Sequence, residues 1–316
     1  MRRSKWLNLL IAGALLLCAC QAPQGPAATP AAEQPTPAAT VAPEKTAAPV
    51  RANFTDMLGR GFAFAATPQR VVSLSPAGTE ILFALGKGSS VIAVDEGSDY
   101  PTEAQQLPKV KADDAEGIAA LSPDIVFIGQ SATQETIKAL ESKGLLVVCA
   151  EAASYNDLFA SIALMAQVMD TDAAPLVQSI QEAVRDAAAK TSDLDIQPTV
   201  YFAVADDANG HVSAGPGSIA YSIIQMAGGV PVTAAASEAY PVYTSEELAA
   251  LAPQVVLVSS KLDIDALYVA EGYKDLTAVQ EGRIYSIDDA LINRPGPRVA
   301  EGMQAVYEAL ELSLNS

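Results

Sequence analysis

Cysteine, histidine and tryptophan are all scarce: 316 residues hold three, one and one of them, and 19 Lys and Arg face 37 Asp and Glu. Few Cys and His leave little material for zinc sites or nucleophile–base pairs, which draw on several of these side chains. Cys18 and Cys20 fall in the first twenty residues, so Cys149 stands alone beyond them and no intramolecular disulfide can form there. In the apolar run Leu145-Leu-Val-Val-Cys149 the thiol reads as an inert core residue. The formal charge of -18 opposes attraction to phosphate backbones, so nucleic acid is excluded as an expected partner. Half the residues are hydrophobic, enough for a chain of this length to bury two ordinary cores.

Arg2, Arg3 and Lys5 precede the apolar run Leu9 to Leu17, and small residues follow, the order of a secretory signal. That run is too short to span a bilayer. Leu17-Cys18-Ala19-Cys20 resembles a bacterial lipobox, which implies removal of residues 1–19 and diacylglycerol on the Cys20 thiol. Cleavage there takes Trp6 and three positive side chains, leaving 16 basic against 37 acidic residues, a balance of -21. Such a body does not adhere to anionic lipid unaided, so the expected anchor is covalent lipid, at about 0.8 kcal/mol per buried methylene. Up to position 53 seven of the twenty prolines follow, with almost no large apolar side chain, and no core can form. Residues 20–53 read as a lipidated cysteine and tether, or as a merely disordered tail; the lipobox favours the tether. At about 3.1 Å per residue, such a stretch reaches on the order of 100 Å.

From Arg70 short apolar runs alternate with helix-like segments. Arg70 to Leu74, Val91 to Val94, Ile125 to Ile128 and Leu145 to Val148 predict strands of a buried, largely parallel sheet, with helices over 79–85 and 133–143. A second set begins at Thr199 to Val204 and continues through Val255 to Val258 and Ile284 to Ile287, with helices around 218–227, 245–251 and 299–312. Between the sets, Pro175 precedes Leu176, Val177, Ile180, Ala183, Val184, Ala187 and Ala188 at helical spacing. About eighteen residues at 1.5 Å each make a rod of roughly 27 Å, able to bridge two lobes. The expected fold is α/β: Rossmann-like lobes at 54–170 and 193–316, joined by one long helix over 171–192.

The halves also echo each other. Glu116-Gly-Ile-Ala-Ala-Leu-Ser-Pro123-Asp-Ile-Val-Phe-Ile128 and Glu246-Glu-Leu-Ala-Ala-Leu-Ala-Pro253-Gln-Val-Val-Leu-Val258 match at a constant offset of 130. Each predicts a short helix stopped by proline and followed by a strand.

Arg70-Val-Val-Ser-Leu-Ser-Pro-Ala-Gly-Thr-Glu-Ile-Leu-Phe-Ala-Leu-Gly86, Ser98-Asp-Tyr-Pro101 and Leu107-Pro-Lys-Val110 resemble the amino lobe of substrate-binding proteins of ABC importers for metal chelates. Ser213-Ala-Gly-Pro-Gly-Ser-Ile219, Ala227-Gly-Gly229, Ala278 to Tyr285 and Arg294-Pro-Gly-Pro-Arg298 resemble its carboxyl lobe. The resemblance covers residue 54 to about 312. It implies a cobalamin, ferric siderophore or haem held between the lobes as transport ligand rather than cofactor, and delivery to a permease with its ATPase. It also implies a monomer outside the cytoplasm with a largely preformed pocket and no catalysis.

Family positions carried onto this chain give two groups of residues. Glu116 and Glu246, one on each lobe, correspond to the glutamates that pair with permease arginines. With Asp114 and Thr244 as N-caps both fall at the second helical position, and the competing reading is that these acids only favour a helix start. The expected ligand contacts are Ser75, Pro76, Gly97, Tyr100, His211, Val212, Tyr240, Asp288 and Arg294. Tyr240 matches a pocket aromatic of cobalamin-binding members, whereas Gly97 and Val212 stand where such members carry aromatics. His211 is a candidate ligand for cobalt or iron, or a turn residue in Asn209-Gly-His211. Acids follow strand-like runs at Asp95, Glu96, Asp206, Asp207, Asp288 and Asp289, and if half of them face the cleft it favours a neutral or cationic chelate. Arg294 is the main basic candidate.

A corrinoid is thus the first expected ligand, with a neutral or cationic ferric siderophore or haem as alternatives. A surface hydrolase would enlist His211, yet Gly210-His-Val-Ser213-Ala-Gly215 misses nucleophile-elbow spacing by one residue. An adhesion lipoprotein with the same lobes is the remaining rival.

Overall fold

The computed structural model describes residues 52–191, 196–207 and 210–315. Its first sheet is parallel, with Lys109–Val110, Val91–Asp95, Val71–Leu74, Ile125–Ile128 and Val147–Cys149 side by side in that order. The chain's first parallel strand lies in the middle and later ones are added outwards on both sides, the Rossmann arrangement. Val71–Leu74 and Ile125–Ile128 are wholly buried. Their alternate side chains feed two cores, Val71 and Phe127 into one, Val72 and Val126 into the other, which is why these strands read as unbroken apolar runs.

The second sheet runs Val242–Tyr243, Gly210–Ser213, Thr199–Asp207, Val255–Ser259, Ile284–Ile287, and Val230–Pro231 pairs with the start of Thr199–Asp207. Thr199–Asp207, Val255–Ser259 and Ile284–Ile287 are mutually parallel, whereas Gly210–Ser213 returns antiparallel along the far end of Thr199–Asp207. Phe202 and Leu257 enter one core and Tyr201 and Val256 the other.

The 18-residue helix Ala174–Thr191 links the two sheets in the chain, as expected of the rod. Its Ile180 and Ala187 are buried, and it packs along the helix Val299–Asn315, where Lys190 Nζ lies 2.9 Å from Gln304 Oε1. The core that takes in Ile180 is continuous from Val71 and Phe127 in the first lobe to Phe202 and Leu257 in the second. Much of this seam comes from a helix the sequence reading lacked, Tyr155–Val168, which buries Leu158, Ile162, Leu164, Met165 and Val168.

The offset of 130 is reproduced in the backbone. Helix Ala115–Ala120 leads into Ile125–Ile128, and helix Ser245–Leu251 leads into Val255–Ser259. Ser122 and Ala252, each just before the proline, both take left-handed φ values, 49° and 44°. A residue preceding proline is sterically barred from continuing the helix, and both halves turn the chain with the same local device.

The leader 1–19, Cys20 and nearly all of the tether lie outside the described residues. Its last two assigned positions, Ala52 and Asn53, belong instead to an antiparallel hairpin, Ala52–Thr55 with Gly61–Phe64. Buried Asp56 ties this hairpin to the sheet edge by accepting from the N–H groups of Leu58, Arg60 and Cys149. Among the described residues no helix is long and apolar enough to cross a membrane.

Candidate functional site

The carboxyl ends of the parallel strands deliver Ser75, Asp95, Gly129 and Glu151 from the first sheet and Ser259, Ser260 and Asp289 from the second. Such edges are where open α/β sheets hold ligands. Here they approach each other: Arg294 reaches across to the Gly97 carbonyl at 3.2 Å, and the Tyr240 phenol is raised by burial and by the charges of Glu151 and Asp289, one on each lobe.

Ser75 is the N-cap of helix Pro76–Ala84, accepting from Gly78 N–H at 3.0 Å, with Pro76 at its start, so this helix begins three residues before the reading from Thr79. The same hydroxyl donates to Glu151 Oε2. Burial pushes the Glu151 carboxyl up, against the hydrogen bonds from Ser75 and the Gln130 backbone, and Asp95 adds a like charge. Gln130 Nε2 also holds the Glu151 carbonyl at 2.9 Å. Glu151 was not among the sequence candidates.

Tyr240, from the other lobe, is 44% exposed, and the charges of Glu151 and Asp289 act on its phenol. Asp289, not Asp288, is the buried acid beside it. Burial would raise Asp289, but bonds from Lys261, Asn293 and Ser259 outweigh that and hold it low. Asp288, expected as a ligand contact, is exposed and caps its helix by accepting from Ala290 N–H at 2.9 Å.

Arg294, expected as a basic contact for the ligand, is committed to protein. Its Nη1 lies 2.6 Å from Asp99 Oδ1 and 3.3 Å from Glu80 Oε1. Glu80, on helix Pro76–Ala84, is only 3% exposed and also receives Arg298, whose guanidinium lies 4.1 Å above the Tyr100 ring. Hydrogen bonding to Arg294 holds Asp99 below the usual carboxylate range. Tyr100 and Gly97 therefore join an interlobe ion-pair cluster. A separate groove of about 640 Å³ flanks it, lined by Phe83, Tyr100, Pro101, Pro297, Arg298 and Glu301 and apart from Glu151 and Tyr240.

The structure does not bring His211 and Val212 into contact with Ser75, Glu151 or Tyr240. Val212 pairs with Val242 and Ala205 in the sheet. Both ring nitrogens of His211 are taken, Nδ1 by Asp206 Oδ1 at 3.0 Å and Nε2 by Ser245 Oγ at 3.1 Å, so His211 offers no free nitrogen to a metal. The Asp–His–Ser order is that of a hydrolase triad, yet a Cβ on Gly272 would lie 2.5 Å from Nε2 and 3.1 Å from Oγ, so the backbone closes that side to a substrate carbonyl. The chain Asp206–His211–Ser245 instead pins the sheet to the first turn of the Glu246 helix. Among the other acids, Glu96 is exposed beside Lys111 and Asp206 also accepts from Tyr273, while the Asp207 side chain lies outside the described residues.

Glu116 and Glu246 are exposed at the second position of their helices, and both expected caps form. Asp114 accepts from Gly117 N–H, and Thr244 and Glu247 make a reciprocal capping box that leaves Glu246 free of it. Glu116 lies 3.7 Å from Lys143 Nζ.

The profile of a family described as periplasmic binding protein matches residues 71–291, spanning both sheets and the helix between them. The chain belongs to the periplasmic binding protein family. That is a family of binding rather than catalytic proteins. Similar relatives include an uncharacterized ABC transporter substrate-binding lipoprotein, YvrC, of Bacillus subtilis, 27% identical over 253 residues, covering 77% of this chain and 80% of that one. The vitamin B12-binding protein of Vibrio vulnificus is 27% identical over 248 residues, 77% of this chain and 90% of its own. Among solved structures, the periplasmic heme-binding protein RhuT of Roseiflexus sp. RS-1 superposes with a TM-score of 0.68 at 27% identity, over 76% of this chain and 98% of that one.

Proposed function

We propose that this periplasmic binding protein is the lipid-anchored capture component of an ABC importer, taking a corrinoid between its lobes and handing it to the permease. The observation that carries the reading is the facing of both sheets' carboxyl edges, where Ser75 binds Glu151 in one lobe and Tyr240 of the other has its phenol raised by burial and then by the Glu151 charge. An exposed aromatic together with polar groups suits a flat macrocycle with hydrogen-bonding substituents. The likeness to a vitamin B12-binding protein over most of both chains supports a corrinoid. Both arginines nearest the cleft are consumed by Glu80 and Asp99, which argues against a strongly anionic siderophore.

Haem is the second reading, favoured by the likeness to a heme-binding structure. Glu116 and Glu246 serve as the permease contacts, and Cys20 carries the lipid. Mass spectrometry of protein purified natively from its own cell envelope tests the ligand: a retained corrinoid is expected, and retained haem or ferric siderophore replaces that assignment. The same spectrum reads the anchor, since a chain starting at an unmodified residue other than Cys20 defeats it.

A further inference from the structure

We infer that Glu151 selects among metal chelates by their rim substituents, accepting hydrogen bonds from amide or cationic donors and rejecting carboxylates. This inference rests on the chelate-capture reading and adds the group that chooses between ligands of similar shape.

Glu151 is built into its position rather than left to find it. It follows the strand Val147–Cys149 at the sheet's carboxyl edge, its main chain is held by Gln130 Nε2 at 2.9 Å, and its Oε2 takes the Ser75 hydroxyl. The carboxyl lies across Gly129, where a Cβ would come within 2.8 Å of Oε2, so a glycine at the end of Ile125–Ile128 is what makes room for it. On the other lobe the Tyr240 phenol is raised by burial first and then by the Glu151 charge.

Charge compensation is missing. Among the described residues no Lys or Arg forms an ion pair with Glu151, and the cations around the cleft are already engaged: Arg294 and Arg298 with Glu80 and Asp99, Lys261 with Asp289. Asp95 adds repulsion from the same lobe. A carboxylate brought beside this group meets like charge in a partly desolvated site, whereas an amide N–H or ammonium finds a charged acceptor. Two macrocycles of equal size are thereby told apart by whether their rim carries amides or acids.

The test uses the chain from Cys20 onward, as wild type, Glu151→Gln, which keeps the volume and loses the charge, and Glu151→Asp, which keeps the charge. Each is titrated by equilibrium dialysis with dicyanocobinamide, an amide-bearing corrinoid, and dicyanocobyrinic acid, the same corrin bearing carboxylates. Wild type and Glu151→Asp are expected to prefer the amide form by about tenfold or more, and Glu151→Gln to lose most of that preference by binding the acid more tightly. An unchanged preference in Glu151→Gln overturns the inference while leaving corrinoid capture intact. Failure of wild type to bind either corrinoid sinks the corrinoid reading instead. The three proteins are then compared with a cationic ferric hydroxamate against an anionic ferric catecholate, and equal preferences across them again overturn the role of Glu151.

Discussion

Glu80 of the first lobe receives Arg298 of the second through two parallel bonds, Nε to Oε2 at 3.0 Å and Nη2 to Oε1 at 2.6 Å. This planar, two-pronged pairing is the geometry in which a guanidinium binds a carboxylate most strongly. Arg294 adds a third contact to the same carboxylate, and Asp99 balances the second positive charge.

Glu80→Gln removes the shared, buried anion and leaves two partly buried guanidinium groups with Asp99 as the remaining carboxylate bonded to Arg294. Removing one partner of a buried pair costs about 3–5 kcal/mol, and at about 2–4 °C per kcal/mol for a body of this size the midpoint should fall by on the order of 10 °C. Scanning calorimetry reads it directly. A midpoint within a degree of wild type would mean the pair contributes nothing to holding the lobes together.

Charge reversal at both proposed docking positions, Glu116→Lys with Glu246→Lys, separates delivery from capture. Both side chains are exposed and neither touches Ser75, Glu151 or Tyr240, so ligand affinity should stay within about twofold while uptake by cells is lost. A matching loss of affinity would put these residues in the pocket and defeat the assignment.

Glu151 also makes stability depend on pH. Because its carboxyl is raised by burial, the folded chain keeps a proton that the unfolded chain has released, so this group's contribution is full below the usual carboxylate range and is lost as pH rises through its own higher value. Glu151→Gln lacks that loss. Its midpoint should match wild type near pH 4 and exceed it by a few degrees near pH 8. A variant less stable than wild type at pH 8 would show that the carboxylate is held by bonds that outweigh its desolvation.

Cys149 is fully buried, and burial first, then the charges of Asp56 and Glu151, push its thiol up to about 11. Iodoacetamide at pH 8 should leave it untouched in the folded protein and modify it completely in denaturant, since the thiolate is the reactive form. Rapid labelling of the native protein would contradict the buried position.

Strands such as Ile125–Ile128 and Ile284–Ile287 were legible to the residue because short segments bounded by Ile end abruptly at Gly129 and Asp288. Helix Tyr155–Val168 was not, since it is wedged between lobes and carries apolar side chains on most sides, which erases the periodicity that marks a surface helix. The caps at Asp114 and Thr244 were readable because a cap acts within three residues. Glu151 was invisible for the opposite reason. Its partner Ser75 is 76 positions away, and nothing in the local run announces a carboxyl rather than another loop acid. Arg294 looked like a ligand contact for the same cause, because the carboxylates that claim it, Asp99 and Glu80, lie 195 and 214 positions earlier.

The apolar seam running unbroken from Phe127 through Ile180 to Leu257 ties the two halves into one core. In the proposed delivery role a shared core of this kind disfavours wide swings, and a transporter would meet nearly the same outline whether the carrier is full or vacant. Cargo would then announce itself by its own atoms in the gap, and vacant copies would compete for the same landing site, slowing import when the carrier greatly outnumbers what it carries.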